Sequence, residues 1–219
     1  MDTLFEFLIQ LQKNNNRNWF LENKNKYEEA KKQADFIFES VYKELLKIEV
    51  LEPLKMYRIY RDVRFSHDKT PYKNHFSAHT GRKKPYDRGG FYIHFENNNC
   101  FIAGGFWAPN KEDLLRIRKS IESSDELEKL TSTPKFTKTF GSIKGDEVKT
   151  VPKGFDKAHE RIELLRKKQF IIMKSFRNED VLKSDFPSNV AEVYKVMLPF
   201  FNYMTEVLTT NENGESLID

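Results

Sequence analysis

Residues 58 to 76, RIYRDVRFSHDKTPYKNHF, gather three arginines, two lysines, two histidines and two tyrosines around Asp62 and Asp68. A guanidinium grips carboxylate or phosphate through two parallel hydrogen bonds, and an ammonium adds a point charge. Aspartates set between arginines orient them and leave a free edge for a ligand. These types at this spacing fit a site for a small anion, phosphorylated or carboxylated. In that reading Arg58, Arg61 and Arg64 supply the forks, Lys69 and Lys73 the point charges, Asp62 the orienting carboxylate and Tyr72 a further contact. Where chemistry follows binding, Asp68, Tyr72 and His75 are the groups that would move a proton, each counting only if it reaches that proton. The same inventory also fits a plain ion-pair network pinning the sheet to its neighbours, and exposed pairs of that kind contribute little stability.

The charge distribution marks the same segment. The chain of 219 residues has a formal net charge of +4. Residues 55 to 88 hold ten Lys or Arg against three acids, a surplus of seven, so the remainder of the chain is net negative by three. An anion would be steered to this one segment. A nucleic-acid or protein-binding adaptor is the alternative, with Arg82, Lys83, Lys84 and Arg88 on phosphates and Tyr86 stacking on a base. Modest overall charge and the lack of a known binding motif weigh against it.

Other constellations carry less. His75 and His79 have the i, i+4 spacing of two ligands on one helix, but no third ligand accompanies them and no metal is expected. His94 alternates with apolar neighbours and reads as a surface or partly buried histidine. Cys100, the sole cysteine, rules out an intramolecular disulfide and fits a reducing compartment. The glycine pairs at 89–90 and 104–105 lack dinucleotide or phosphate-loop spacing, and no serine sits in a nucleophile elbow. No cofactor signature appears, and nothing sets an oligomeric state. Asp2 and Glu6 stand where a signal peptide would be positive, and no run approaches a membrane span, so a cytoplasmic protein without membrane contact is expected.

The elements that must position these residues follow from periodicity. Residues 2 to 12 read as an amphipathic helix with Asp2 as N-cap and Leu4, Leu8 and Leu11 on one face. Asn18 would cap a longer helix from Trp19, whose stripe includes Ala34, Ile37, Phe38, Val41 and Leu45, and Pro53 closes that region. Residues 55 to 60 are a strand candidate, placing Arg58, Asp62 and Arg64 on one face and Arg61 on the other. A loop that exposes Lys69, Tyr72, Lys73 and His75 is expected beyond it. Phe91, Ile93 and Phe95 alternate with Tyr92, His94 and Glu96; a turn at 97–99 leads into a return strand over 100–107. Residues 169 to 176 are another strand, and 147 to 151 a weaker one.

Asn110 is read as the cap of a helix carrying Leu114, Ile117 and Ile121. Further helices are expected near Asp125, from Asp156 to Arg166, and from about Ser188 to Thr209. The last has Val190, Tyr194, Met197, Phe201, Met204 and Leu208 on one stripe and Pro199 as a kink. Strands in the middle and helices at both ends predict an α+β fold with a mostly antiparallel sheet, one domain over 1–210 and a frayed tail over 211–219.

RIYRDVRFSHDKTPYK resembles the signature of a widespread bacterial family, also found in fungi, catalogued as domain of unknown function twenty-four sixty-one. NNNRNWF, GGFYIHFE, AGGFWAPNKEDLLRIRKSI and PKGFDKAHERIELLRKKQF are similar to its other segments, so the likeness covers most of the chain. It implies that Arg58, Arg61, Asp62, Arg64, Phe65, Asp68, Lys69 and Tyr72 form the family's shared feature, and it implies no activity. The pattern departs from the family at His67, where a lysine is usual, and at Glu160, where a proline often follows the histidine; the second weakens a specific role for His159.

Overall fold

A computed structural model describes residues 3–211 and 213–218. Asp2, expected as the first N-cap, lies outside the described residues. The first helix, α1 (Thr3–Lys13), buries Leu4, Phe5, Phe7, Leu8 and Leu11. The helix expected from Trp19 is two helices, α2 (Arg17–Glu22) and α3 (Lys24–Leu46). The cap is Asn16 rather than Asn18: its extended backbone lets its side chain accept from the Trp19 N–H at 3.0 Å. Asn23 ends α2 by donating its side-chain amide back to the Trp19 carbonyl at 2.9 Å, and α3 restarts there.

Five strands form an antiparallel sheet in chain order: β1 (Lys55–Met56), β2 (His75–Gly81), β3 (Gly90–Glu96), β4 (Cys100–Phe106) and β5 (Phe170–Phe176). The strand expected over 55–60 stops at Met56, and only an isolated bridge between Tyr60 and Tyr72 continues the pairing. His75 and His79 lie on β2, not on a helix or loop. Four residues along a strand span about 13 Å, so the pair cannot share an ion. The helices α4 (Lys111–Ser123), α5 (Glu126–Thr131), α6 (Pro134–Phe140) and α7 (Ile162–Leu165) are inserted between β4 and β5. Asn110 caps α4 as expected, accepting from Asp113 N at 2.9 Å. The helix expected over 156–166 shrinks to α7, because the Asp156 side chain takes the Ala158 N–H at 2.9 Å and fixes a turn. Residues 147–151 form no strand and contribute one bridge, Glu147 to Lys167.

A short α8 (Asn178–Val181) leads into α9 (Phe186–Thr209), which runs through Pro199 and buries all six residues of the expected stripe. The described residues of the C-terminal tail turn back, with Leu217 N donating to Thr209 O at 2.8 Å.

Strand alternation sorts the sheet into two faces. Phe76, Ala78 and Thr80, Phe91, Ile93 and Phe95, Ile102 and Phe106, and Phe170 and Ile172 are buried toward the helices. Phe38 of α3 stacks on Phe95 at 4.6 Å between ring centroids, and Tyr194 of α9 meets Phe91 edge-on at 5.6 Å. Gly104 lets α9 approach the sheet backbone: a Cβ there would stand 2.8 Å from Met197 Sδ and from the Phe201 ring. One hydrophobic cluster runs from Leu4 to Leu208. The opposite face carries His75, Ser77 and His79 on β2, Tyr92, His94 and Glu96 on β3, and Phe101 and Ala103 on β4.

Candidate functional site

Between β1 and β2 the chain leaves the sheet and returns, closed at its neck by backbone pairing. Arg61 N donates to Pro71 O at 2.9 Å and Lys73 N donates to Ile59 O at 2.8 Å, on either side of the Tyr60–Tyr72 bridge. Tyr72 anchors the neck. Contrary to the exposed position expected for it, its ring is buried and stacked on Phe20 at 3.9 Å. Asn15, from the NNN run after α1, clamps the same point: its side chain accepts from Tyr72 N at 3.1 Å and donates to Tyr72 O at 2.9 Å.

The polar residues of this loop mostly serve the loop. Arg61 turns inward and donates to Asp68, to the Thr70 hydroxyl and to the Thr70 carbonyl, the last at 3.2 Å. Asp68 also accepts from Thr70 N at 2.9 Å, its side chain bonding forward to its own loop. That backbone bond, with those from Arg61 and the Thr70 hydroxyl, holds the Asp68 carboxyl down to about 2. Asp62 has its arginine partner in Arg64, which grips it with two donors at 2.9 and 2.6 Å and lowers its pKa. Lys69 donates to the Val63 carbonyl at 3.0 Å. Three of the five cations assigned to a ligand therefore already have carboxylate or carbonyl partners. Phe65 at the tip is 96% exposed.

Arg58 and Lys73 stand apart from that bracket. Neither has an ion-pair partner among the described residues. Lys73 is half-buried, its ammonium 5.4 Å from the centre of the Tyr57 ring. Burial first, and the charge of Arg58 second, lower the Lys73 pKa. Beyond Lys73 the chain enters β2, and the register of β2 against β3 sets His75 opposite Glu96 and Ser77 opposite His94. The His75 and His94 rings lie 4.2 Å apart, and His94 stacks on Phe101 at 4.6 Å. Both imidazoles lose affinity for protons chiefly through burial; His75 falls to about 4, with His94 and Lys73 adding like charge.

A row of hydrogen bonds follows β3. Tyr92 Oη lies 3.0 Å from His94 Nδ1, and His94 Nε2 lies 3.3 Å from Glu96 Oε2. Asn99 fixes the same carboxylate oxygen at 2.6 Å. Tyr57 borders Tyr92 at 6.3 Å between rings. Arg58, Lys73 and His75 are thus the expected site residues that adjoin this face. Tyr57, Ser77, Tyr92 and Glu96 join them without having been assigned to the site, and so does His94, which was read only as a surface or partly buried histidine. The alternation of β3 carried a signal for three of these. The partners across the sheet depend on strand register, which no local pattern contains. A separate groove of about 1000 Å³ runs between α4, α5 and the end of α9, and none of these residues lines it.

The basic stretch proposed for nucleic acid is largely spent. Arg82 is 4% exposed and bound to Glu49, Asn202 and Thr205. Arg88 pairs with Asp113 at 2.5 Å, and Lys83 lies 3.8 Å from Glu52. No helix of the described residues is long and apolar enough to cross a membrane.

No curated protein and no solved structure matches the chain. The family described as conserved hypothetical protein (DUF2461) has a model that matches residues 3–203, nearly the whole described fold, and the chain belongs to that family.

Proposed function

We propose that the protein binds a small anionic ligand, phosphorylated or carboxylated, on the open face of its sheet. Arg58 and Lys73 alone grip the charge; His75, His94 and Tyr92 line the floor without holding the anion. The loop over 61–70 is the scaffold that holds Arg58 and Lys73 at its neck, with Arg61, Asp62, Arg64, Asp68 and Lys69 spent on its own shape.

The observation that carries this reading is the state of Lys73. It is half-buried, has no carboxylate partner among the described residues, and is lowered in pKa by burial and by Arg58. Two adjacent cations repel each other, and Asp62, the carboxylate that feels Arg58, is already gripped by Arg64, so a bound anion lowers that cost. The neutral imidazoles behind them add no further repulsion.

Thermal unfolding in inorganic phosphate tests the proposal. Ligand at about a hundred times its Kd stabilises the folded state by about 2.7 kcal/mol. The melting temperature of the protein should rise with phosphate. Lys73→Met, which keeps the aliphatic stem, should lose most of that rise, and Arg64→Ala should keep it. An equal rise in Lys73→Met, or none in the unaltered protein, contradicts the proposal.

A further inference from the structure

We infer that the open sheet face is a catalytic site, in which Tyr92 takes a proton from a carbon next to the carbonyl of a bound anionic ligand and passes its own proton to His94. This deepens the anion-binding reading and rests on it. The juxtaposition behind it is the line of side chains that alternation places on one face of β3: Tyr92, then His94, then Glu96.

The tautomer of His94 follows from its neighbours. Glu96 is a carboxylate and can only accept, so His94 Nε2 bears the hydrogen across the 3.3 Å gap. His94 Nδ1 is then the free lone pair, and the Tyr92 hydroxyl donates to it at 3.0 Å. Carboxylate, imidazole and hydroxyl thus stand in the order in which a hydroxyl is activated in acyl-transfer triads. Packing fixes the imidazole: His75 lies on one side at 4.2 Å and Phe101 on the other at 4.6 Å. Asn99 fixes Glu96 from outside. Burial raises the Tyr92 phenol, against a weaker opposing pull from a Ser77 hydrogen bond, and lowers the His94 imidazole. Both groups are neutral near pH 7, which is the state such a relay starts from.

The step balances without a co-reactant. The ligand C–H breaks and its proton joins the Tyr92 oxygen. The Tyr92 O–H breaks in the same motion and its proton joins His94 Nδ1. The ligand keeps the electron pair as an enolate, one unit more negative, and His94 becomes an imidazolium held by Glu96. Lys73 and Arg58 supply positive charge toward the enolate. Running the step backward returns a proton to the same carbon, so the relay by itself exchanges that hydrogen with solvent and needs no other reactant. A carbonyl neighbour is required because a buried neutral imidazole is a weak base, and it removes a C–H proton only where the resulting charge is spread. A hydroxyl proton exchanges with water unaided and needs no relay. Tyr92 is the catalytic residue in this scheme; His94 and Glu96 act behind it.

Proton washout in deuterium oxide reads this step whatever the net reaction. The full chain is incubated with dihydroxyacetone phosphate or 2-oxoglutarate, and loss of the carbon-bound proton next to the carbonyl is followed by NMR. The unaltered protein should wash out at least one of the two faster than buffer does. Tyr92→Phe and His94→Gln should each slow washout by about a hundredfold or more, the usual weight of a proton-transfer group, while inorganic phosphate still raises their melting temperatures. Glu96→Gln should lower the washout kcat and leave KM unchanged, a split that a merely structural role would not give. Phosphate binding without washout of either probe overturns the relay and leaves the binding site standing, and so does a Tyr92→Phe protein that exchanges at the unaltered rate. No phosphate binding in the unaltered protein overturns both.

Discussion

Arg61 shows how a residue type with a well-known taste for phosphate is diverted to architecture. The loop over 61–70 has little apolar material to bury, so its shape depends on polar brackets. Arg61 is the largest of them: it reaches Asp68, both oxygens of Thr70 and, at 3.4 Å, Ser66. Hydrogen bonds to charged groups contribute about 1.5–3 kcal/mol each when well made, and exposure of Asp68 reduces that here. Arg61→Ala should therefore lower unfolding stability by about 1–2 kcal/mol, speed amide exchange over 61–71, and leave phosphate binding in place. Lost binding with unchanged stability would return Arg61 to the ligand.

His75 carries a prediction of its own, with the sign set by linkage. Its folded pKa is about 4, below the ordinary 6.5. As pH falls from 6.5 toward 4 the unfolded chain takes up this proton and the folded chain does not, so stability is full above 6.5 and declines across that window. His79 and His94 shift in the same direction. Urea midpoints across the window should fall with pH, and His75→Gln should flatten the slope; an unchanged slope contradicts the burial of His75.

At the scale of elements, Arg82 joins three pieces of chain. It lies just past β2, and it binds Glu49 beyond α3 and Asn202 and Thr205 on α9. Tyr194 of α9 donates to the same Glu49 carboxylate. Removing one member of a buried ion pair strands the other charge, at a cost of about 3–5 kcal/mol. Arg82→Leu should destabilise by that much, measured by urea unfolding, and adding Glu49→Leu should recover part of the loss. In the sequence this arginine is one of a basic run offered to phosphates, because the sequence does not show which helix will cover it. The same limit explains what else was legible. β3, β4, α4 and α9 are written locally, in alternation, an Asn cap or an apolar stripe. β2 is hidden because its open side presents His75, Ser77 and His79, which imitate a loop, although Phe76, Ala78 and Thr80 alternate beneath them. The 58–76 segment was legible as a concentration of charge. That most of its cations turn on their own loop was not, since Asp68 and Thr70 are brought to Arg61 by the Tyr60–Tyr72 neck.

For the whole molecule, the arrangement divides labour between two sides of one sheet. Helices α3 and α9 take the apolar side, with Gly104 admitting α9 closely. The other side gathers a phenol, two imidazoles and a carboxylate within reach of a cation pair. In the proposed reading the surplus of seven positive charges over residues 55 to 88 steers an anion to this end of the fold. Of the cations there without an ion pair or carbonyl partner among the described residues, Lys55, Arg58, Lys73 and Lys84, it is Arg58 and Lys73 that meet it. The most direct measurement of this account is a phosphate titration followed by two-dimensional amide NMR. Shifts should concentrate on 57–59, 73–77 and 92–96, and vanish in Lys73→Met. Shifts concentrated on 61–70 instead, or undiminished in Lys73→Met, would contradict it.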